Sequence, residues 1–224
     1  MPPMQNLLPF RWAALALVLL LAWDASGLDL WIVRHIGDAS GFALKESWFT
    51  EGLLHKGGQR LAMVVMACIV AVNLWPRFLP LLTRRERVWW LAVTAFCLAL
   101  IPIIKSFTLT SCPWDLAEFG GRARYVSHWA FGVVDGGGGR CFPSGHASAA
   151  FSYLAGGWAL ARAYPRAAHA WLVTTVALGV VFGVSQMVRG AHYPSHTMWT
   201  GWICWAVTVA AAHAGPWRLS RGAA

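Results

Sequence analysis

The sequence predicts an all-α protein that crosses a membrane several times. Of its 224 residues, 58% are hydrophobic and only 12% are charged, whereas a soluble domain carries about 25% charged residues. Six separate apolar runs approach the roughly 20 residues that a membrane-spanning helix needs. We therefore predict a single membrane-embedded domain over 1–224, with six transmembrane helices at residues 12–30, 61–79, 88–104, 147–161, 171–188 and 197–212.

The first and fourth runs are the least regular. The first has a short leucine-rich centre followed by Asp24 and Asp29, and it resembles the hydrophobic region of a signal peptide. Ala25, Ser26 and Gly27 form a poor cleavage site, so we predict an uncleaved first helix. The fourth run is short unless residues near Ser144 extend it.

The loops set the expected orientation. The two sides carry equal numbers of Lys and Arg, but the loops on one side are about half as long, so their basic residues are denser. Dense basic residues favour the cytoplasmic side. We therefore predict cytoplasmic termini in a bacterial-type inner membrane, with loops 31–60, 105–146 and 189–196 on the outer (periplasmic) face.

The net charge of +9 does not indicate a nucleic-acid partner. The basic residues lie between apolar runs rather than along one polar face. Tryptophans lie near the predicted helix ends and along the last helix, where an interfacial belt is expected. Cys112 and Cys141 share a polar loop. They form either a disulfide, if that loop is in an oxidising compartment, or a pair of free thiols.

Three short segments fall on the predicted outer face. One runs from Lys105 to residues 112–115, one is 143–146 (Pro-Ser-Gly-His), and one is 185–196. A phosphoryl group needs cations on its equatorial oxygens, and Lys105 and Arg189 supply two. The turn before His146 offers backbone N–H groups that suit an anion.

Two histidines and a serine complete the predicted chemistry. Of His146 and His192, one can attack phosphorus while the other protonates the leaving oxygen, because imidazole titrates near neutral pH. The Ser144 hydroxyl adds a donor. No metal or cofactor is required if lysine and arginine carry the charge. Each residue alone has an ordinary explanation, such as a snorkelling lysine, but independent causes would not gather all of them on one face.

The segments also resemble a known family. Residues 143–146 and 190–195 are similar to the second and third signatures of the type-2 phosphatidic acid phosphatase superfamily, whose six-helix membrane core dephosphorylates lipid phosphates without metal. The resemblance spans residues 105–196. It implies that His192 is the nucleophile and His146 the general acid, and that Lys105, Ser144 and Gly145 bind phosphate.

Three positions depart from the family pattern, which is Lys-x6-Arg-Pro, Pro-Ser-Gly-His and Ser-Arg-x5-His-x3-Asp. Cys112 and Gln186 stand where the family has arginine, and His196 stands where it has aspartate. Arg189 lies about one helical turn beyond Gln186, so it can restore one guanidinium. Three loop arginines can restore the other: Arg122, Arg124 or Arg140.

The change at position 196 concerns the nucleophile directly. The family aspartate orients the nucleophilic imidazole and stabilises its charged form. A neutral His196 accepts a hydrogen bond but supplies no negative charge. Candidates for a compensating carboxylate are Asp115, Glu118 and Asp135.

The leading hypothesis is a membrane lipid phosphate phosphatase that acts through a phosphohistidine. Undecaprenyl pyrophosphate, lipid A phosphate and phosphatidylglycerol phosphate fit equally well as substrates. The alternatives are a lipid-to-lipid phosphotransferase and a catalytically inactive phospholipid-binding member. A channel is a weaker alternative because the helices after the first carry almost no mid-helix charge. The sequence does not predict an oligomeric state.

Overall fold

The computed structural model describes residues 10–215, and its helices follow the apolar runs of the sequence. The all-α class is confirmed. A π-helix at Trp48–Gly57 leads directly into α3. The α-helices are Phe10–Ser26 (α1), Leu28–Arg34 (α2), Gly58–Leu74 (α3), Arg84–Ser106 (α4), Gly145–Phe151 (α5), Ala155–Ala161 (α6), Pro165–Val188 (α7) and Pro194–His213 (α8).

Several of these helices are long and apolar enough to cross a membrane, as a multi-pass protein requires. Within residues 10–215, three spans meet this condition: Trp48–Leu74, Arg84–Ser106 and Pro165–Val188. The pair α1 and α2, bent by 59°, makes a fourth if it counts as one span. Six transmembrane helices are therefore not shown. The helix α8 has 20 residues and is not among these candidate spans.

The predicted fourth helix, at 147–161, is broken. Its first part, α5, ends at Phe151, and α6 starts at Ala155. Tertiary contacts hold the break, because the indole of Trp171 donates to the carbonyl of Tyr153 at 2.7 Å while the Tyr153 hydroxyl bonds the carbonyl of Ala62. Each half has seven residues and is too short to span a bilayer alone.

The predicted outer loop 31–60 is also wrong in part. It contains α2 and the π-helix, so the helix expected from residue 61 begins at Trp48. The side chain of Ser47 caps the π-helix by accepting a hydrogen bond from the backbone N–H of Phe49. Helical structure therefore reaches into the region expected to be a loop.

The first two helices bind the last one through polar groups. The chain bends at Gly27, which has φ of 73°, a left-handed conformation that glycine adopts without strain. Beyond the bend, Asp29 accepts hydrogen bonds from the backbone N–H and the hydroxyl of Ser195 in the first turn of α8. Trp202 donates to the carbonyl of Ala13 at 3.0 Å. This tryptophan therefore contacts α1.

A core between α3, α4, α5, α6, α7 and α8 holds the rest of the described bundle. On α4 it includes Cys97 and Ile101, which are fully buried. The outer surface is apolar as well. On α7, Val173, Val176 and Val180 are each about half exposed at helical spacing. A stripe of exposed valines is costly in water and suits a lipid environment.

Candidate active site

The structure brings the three predicted segments together at one end of the bundle. The backbone N–H of Ser144 donates to the carbonyl of His196 at 3.1 Å. The hydroxyl of Thr200 returns a hydrogen bond to the carbonyl of Ser144 at 3.0 Å. On the other side, the N–H of Trp114 donates to the carbonyl of Gly190 at 2.9 Å. These bonds connect the Pro-Ser-Gly-His turn, the loop after α4 and the start of α8.

A disulfide between Cys112 and Cys141 joins two of these segments. Backbone hydrogen bonds accompany it, from Arg140 to Thr108 and from Cys141 to Thr110. The pairing that the sequence left open is therefore present in the structure. The disulfide holds the loop after α4 against the segment that leads into the Pro-Ser-Gly-His turn.

His192 is almost completely buried between the disulfide and α8. Its Nδ1 lies 3.4 Å from Nδ1 of His196 and 3.7 Å from Sγ of Cys141. No hydrogen bond of the opposite ring nitrogen, Nε2, is formed within the described residues. Burial lowers the pKa of His192 well below its usual range, and the charges of Lys105 and His146 lower it further. At neutral pH this imidazole is therefore uncharged, as a nucleophile must be.

His196 occupies an aromatic environment. Its ring centroid lies 5.2 Å from that of Phe142 and 5.1 Å from that of Tyr193, both at steep interplanar angles. The side chain is 1% exposed. An ionised aspartate in these surroundings would lose its hydration without a charged partner, which is costly. A neutral imidazole fits better, and it still offers a ring nitrogen to His192.

The three carboxylates predicted as candidates to support the nucleophile are engaged within the loops. The side chain of Asp115 accepts from the N–H of Cys112 and the indole of Trp114. Glu118 forms an ion pair with Arg34 at 2.8 Å. Asp135 accepts hydrogen bonds from Ser111 and Gly137. These contacts give no support to a role beside His192.

A different carboxylate, which sequence reasoning missed, is linked to His196 through His128. Asp24 of α1 accepts hydrogen bonds from the indoles of Trp129 and Trp199, each at 2.8 Å, and lies 3.3 Å from Nε2 of His128. The ring of His128 in turn meets the ring of His196 edge to face at 5.5 Å. The signal was present in the sequence, because an acidic residue within an apolar run is expensive in a membrane and is usually retained for a reason.

The predicted phosphate-binding residues surround the turn before α5. A β-carbon added to Gly145 would lie 3.7 Å from Nζ of Lys105, so the ammonium group faces this turn. Ser144 is fully buried and caps α5, accepting from the N–H of Ala147. Lys105 also acts electrostatically on His192. Lys105 thus lies beside the serine–glycine turn and within electrostatic range of His192.

Arg189 is the buried guanidinium of the site. It is 7% exposed, and its Nε donates to the carbonyl of Lys45 at 2.8 Å while Nη1 donates to Oε1 of Gln186 at 3.2 Å. It lies within electrostatic range of His146. The guanidinium one turn beyond Gln186 is thus held beside Gln186, and its phosphate-binding role stays a prediction. The loop arginines proposed as replacements are exposed instead: Arg122, Arg124 and Arg140.

The π-helix is a fourth segment of the site, and the sequence did not indicate it. Nε2 of His146 lies 3.1 Å from the carbonyl of Leu54, and the ring centroid of His146 lies 4.4 Å from that of His55. His146 is 6% exposed. Since Nε2 is held by a backbone carbonyl, the other nitrogen of His146, Nδ1, is the one available for proton transfer.

One group of potential metal ligands lies within the described part of the chain: Cys112, Cys141 and His192. The two sulfur atoms are bonded to each other, so neither is a thiolate, the form that binds metals. This donor set therefore does not fit a metal ion while the disulfide is formed.

A helical membrane bundle with histidines, a lysine and an arginine around one buried turn is the arrangement of a phosphatase-like membrane protein. The model of the PAP2 superfamily matches residues 86–220, which is well over half of the chain and includes all three segments. The chain belongs to the PAP2 superfamily. No curated protein and no solved structure matches it significantly.

Proposed function

We propose that the protein is a membrane lipid phosphate phosphatase, which hydrolyses a phosphomonoester or a pyrophosphate of a lipid through a phosphohistidine intermediate. The observation that carries the proposal is the setting of His192. Its Nδ1 is engaged by His196, and its Nε2 is left to attack phosphorus.

The reaction has two steps, each with balanced proton transfer. Nε2 of His192 attacks phosphorus, and the bond from phosphorus to the lipid oxygen breaks. The electron pair leaves with that oxygen, which takes the Nδ1 proton of His146 in its imidazolium form. Water then attacks the phosphohistidine, and the bond from phosphorus to Nε2 breaks with its electron pair returning to His192. His146 accepts the proton of the water, and inorganic phosphate leaves. During both steps Nδ1–H of His192 donates to His196, so the imidazole keeps its orientation.

Positive groups stabilise the transferred phosphoryl group. Lys105 and Arg189 supply charge to the equatorial oxygens, and the Ser144–Gly145 turn supplies donors. Arg189 is held in advance by the carbonyl of Lys45 and by Gln186. A fixed cation costs no reorganisation at the moment of reaction, which is why its position matters.

The disulfide supports a location on the outer face of an inner membrane. Disulfides persist in oxidising compartments such as the periplasm and are rare in the cytosol. Cys112 and Cys141 lie beside His192, so the compartment of the disulfide is the compartment of the site. The lipid head group then approaches from outside, while its chains lie against the apolar helices.

A lipid-to-lipid phosphotransferase is the second candidate. The burial of His192, which is 4% exposed, favours it because exclusion of water protects a reactive intermediate from hydrolysis. A catalytically inactive lipid-binding member is the third, and the neutral His196 in place of a carboxylate favours it.

Release of inorganic phosphate from a panel of lipid phosphates distinguishes these functions. Purified wild type is expected to release phosphate and the His192→Ala variant is not, and EDTA is expected to leave the rate unchanged. If a second lipid must be added before phosphate leaves the first, the protein is a transferase. Equal release by both proteins would overturn the phosphohistidine mechanism.

A further inference from the structure

His55 is a basic residue of the site that no predicted segment contains. It lies on the π-helix, and its ring packs against that of His146 with centroids 4.4 Å apart and an angle of 31° between the planes. The preceding residue, Leu54, holds Nε2 of His146 through its carbonyl. The π-helix therefore contacts the general acid twice in succession.

The length of the span places His55 at the bilayer surface, where the site is. The α3 part of the span has 17 residues, which at 1.5 Å per residue gives about 25 Å. The hydrocarbon core is about 30 Å thick. The end of the π-helix that joins α3, where His55 lies, is therefore close to the edge of the hydrocarbon, at the level of a lipid head group. Irregular helical turns of this kind often occur at functional sites.

Two nitrogens near Arg189 are buried and have no hydrogen-bond partner within the described residues. They are Nδ1 of His55 and Nε2 of Gln186. Buried polar atoms are nearly always hydrogen-bonded, and leaving a donor unpaired costs about 1–3 kcal/mol. Gln186 is 2% exposed and already bonds Arg189 through its oxygen. The unpaired atoms therefore indicate a missing acceptor.

The charges around His55 indicate that this acceptor is an anion. Arg189 and Lys105 both act electrostatically on His55. The carboxylate on the same helix, Glu51, forms an ion pair with Lys56 at 2.8 Å. A donor that faces two cations is most stable when a phosphate oxygen lies between them.

Building on the proposed function, we propose that His55 is a further catalytic residue, which donates its Nδ1–H to a non-bridging oxygen of the substrate phosphate. It acts together with Lys105 and Arg189. In this role the π-helix presents a donor to the phosphate and holds the general acid with the next carbonyl along the chain.

A purely structural role would require only the ring of His55, so two substitutions separate the roles. His55→Phe keeps an aromatic ring against His146 but removes the donor. His55→Asn loses the ring but places an amide near the position of Nδ1. His35→Phe is the matched control, because His35 is an exposed histidine whose Nδ1 is already bonded to the carbonyl of Trp31.

The experiment measures binding of orthovanadate, a phosphate mimic, to the purified full-length protein in detergent. His55→Phe is expected to weaken binding about tenfold, the loss of one hydrogen bond to a charged group, while His55→Asn stays within about threefold of wild type. His55→Ala is a second donor-free variant, and it is expected to behave like His55→Phe. The control His35→Phe is expected to match wild type.

The outcomes separate this inference from the proposed function. If His55→Phe or His55→Ala folds and binds vanadate as wild type does, the role of His55 is overturned and the phosphatase proposal stands. If wild type itself binds no vanadate, both are overturned.

Discussion

The residue at position 196, beside His192, is suited to the side chains that surround it. His196 places a ring nitrogen 3.4 Å from Nδ1 of His192 where the resemblance implies a carboxylate. Its aromatic surroundings disfavour a charge there. Asp24 lies beside His128, whose ring packs against that of His196. In the proposed mechanism, a neutral group orients His192, and the reactivity of His192 depends on its being kept uncharged.

The cations of the site are expected to contribute strongly to stabilisation of the transition state. Lys105→Ala and Arg189→Ala should each lower kcat/KM by about 10²–10³-fold, since each removes a group that stabilises charge in the transition state. The measurement is phosphate release from a lipid phosphate by protein of confirmed helix content. Arg122→Ala, at an exposed loop arginine, is the control and should be as active as wild type. Wild-type rates for both site variants would contradict the assignment.

The acid limb of the pH profile reports the protonation of His192. Burial and the charge of Lys105 lower its pKa, so the neutral nucleophile persists below the ordinary histidine value of about 6.5. We expect kcat/KM to fall only when pH drops below that value. In Lys105→Ala the limb should move to higher pH, because removing a nearby positive charge stabilises the imidazolium. A limb at or above 6.5 in wild type would show that the pKa is not lowered.

At the scale of elements, α1 and α2 position the start of α8. Asp29 accepts from the N–H and hydroxyl of Ser195 and from the indole of Trp23. Ser195 immediately precedes His196, so this contact determines where the first turn of α8 lies. The bent first pair of helices therefore supports the site without contributing a reacting group.

Asp29→Ala is expected to destabilise the protein by about 1–3 kcal/mol, because it leaves buried donors unpaired. Thermal unfolding followed by circular dichroism in detergent gives the change in Tm. The comparison is Asp38→Ala, which removes an exposed carboxylate bonded only to the nearby Ser40 and is expected to leave Tm nearly unchanged. Equal Tm values for the two variants would refute the support role of Asp29.

Some elements were predictable from the sequence and others were not. The long helices α4 and α7 follow from apolar runs of sufficient length. The break after Phe151 depends on Trp171, a residue far along the chain, so no local pattern reveals it. The π-helix was not predicted for a different reason. Glu51, His55 and Lys56 are polar, so the segment resembles a polar loop in the sequence.

The same distinction holds for the site. Lys105, His146 and His192 were predictable because basic residues at the ends of apolar runs lie on one face of a membrane bundle. The contacts of Asp24 and His55 were not predictable, because they join segments more than 90 residues apart. Asp24 alone stood out in the sequence, as an acid within an apolar run. Local spacing identifies a site within a motif, whereas long-range packing adds residues that no motif contains.

At the scale of the whole molecule, the disulfide can be used to test on which side of the membrane the site lies. In intact cells, an impermeant maleimide should label Cys112 and Cys141 only after a reductant is added, since the thiols are otherwise bonded and the loop faces outward. A Cys68→Ser background removes the exposed free cysteine. Labelling without reductant would contradict the disulfide, and labelling only after permeabilisation would place the site in the cytoplasm.

The central claim is that His192 carries the phosphoryl group between lipid and water. The most direct measurement is rapid quenching of the reaction with a lipid phosphate, followed by peptide mass spectrometry at neutral to alkaline pH. The account predicts a phosphohistidine at His192 in the wild type, which is absent from His192→Ala. Turnover by the wild type with phosphate on another residue, or on none, would contradict it.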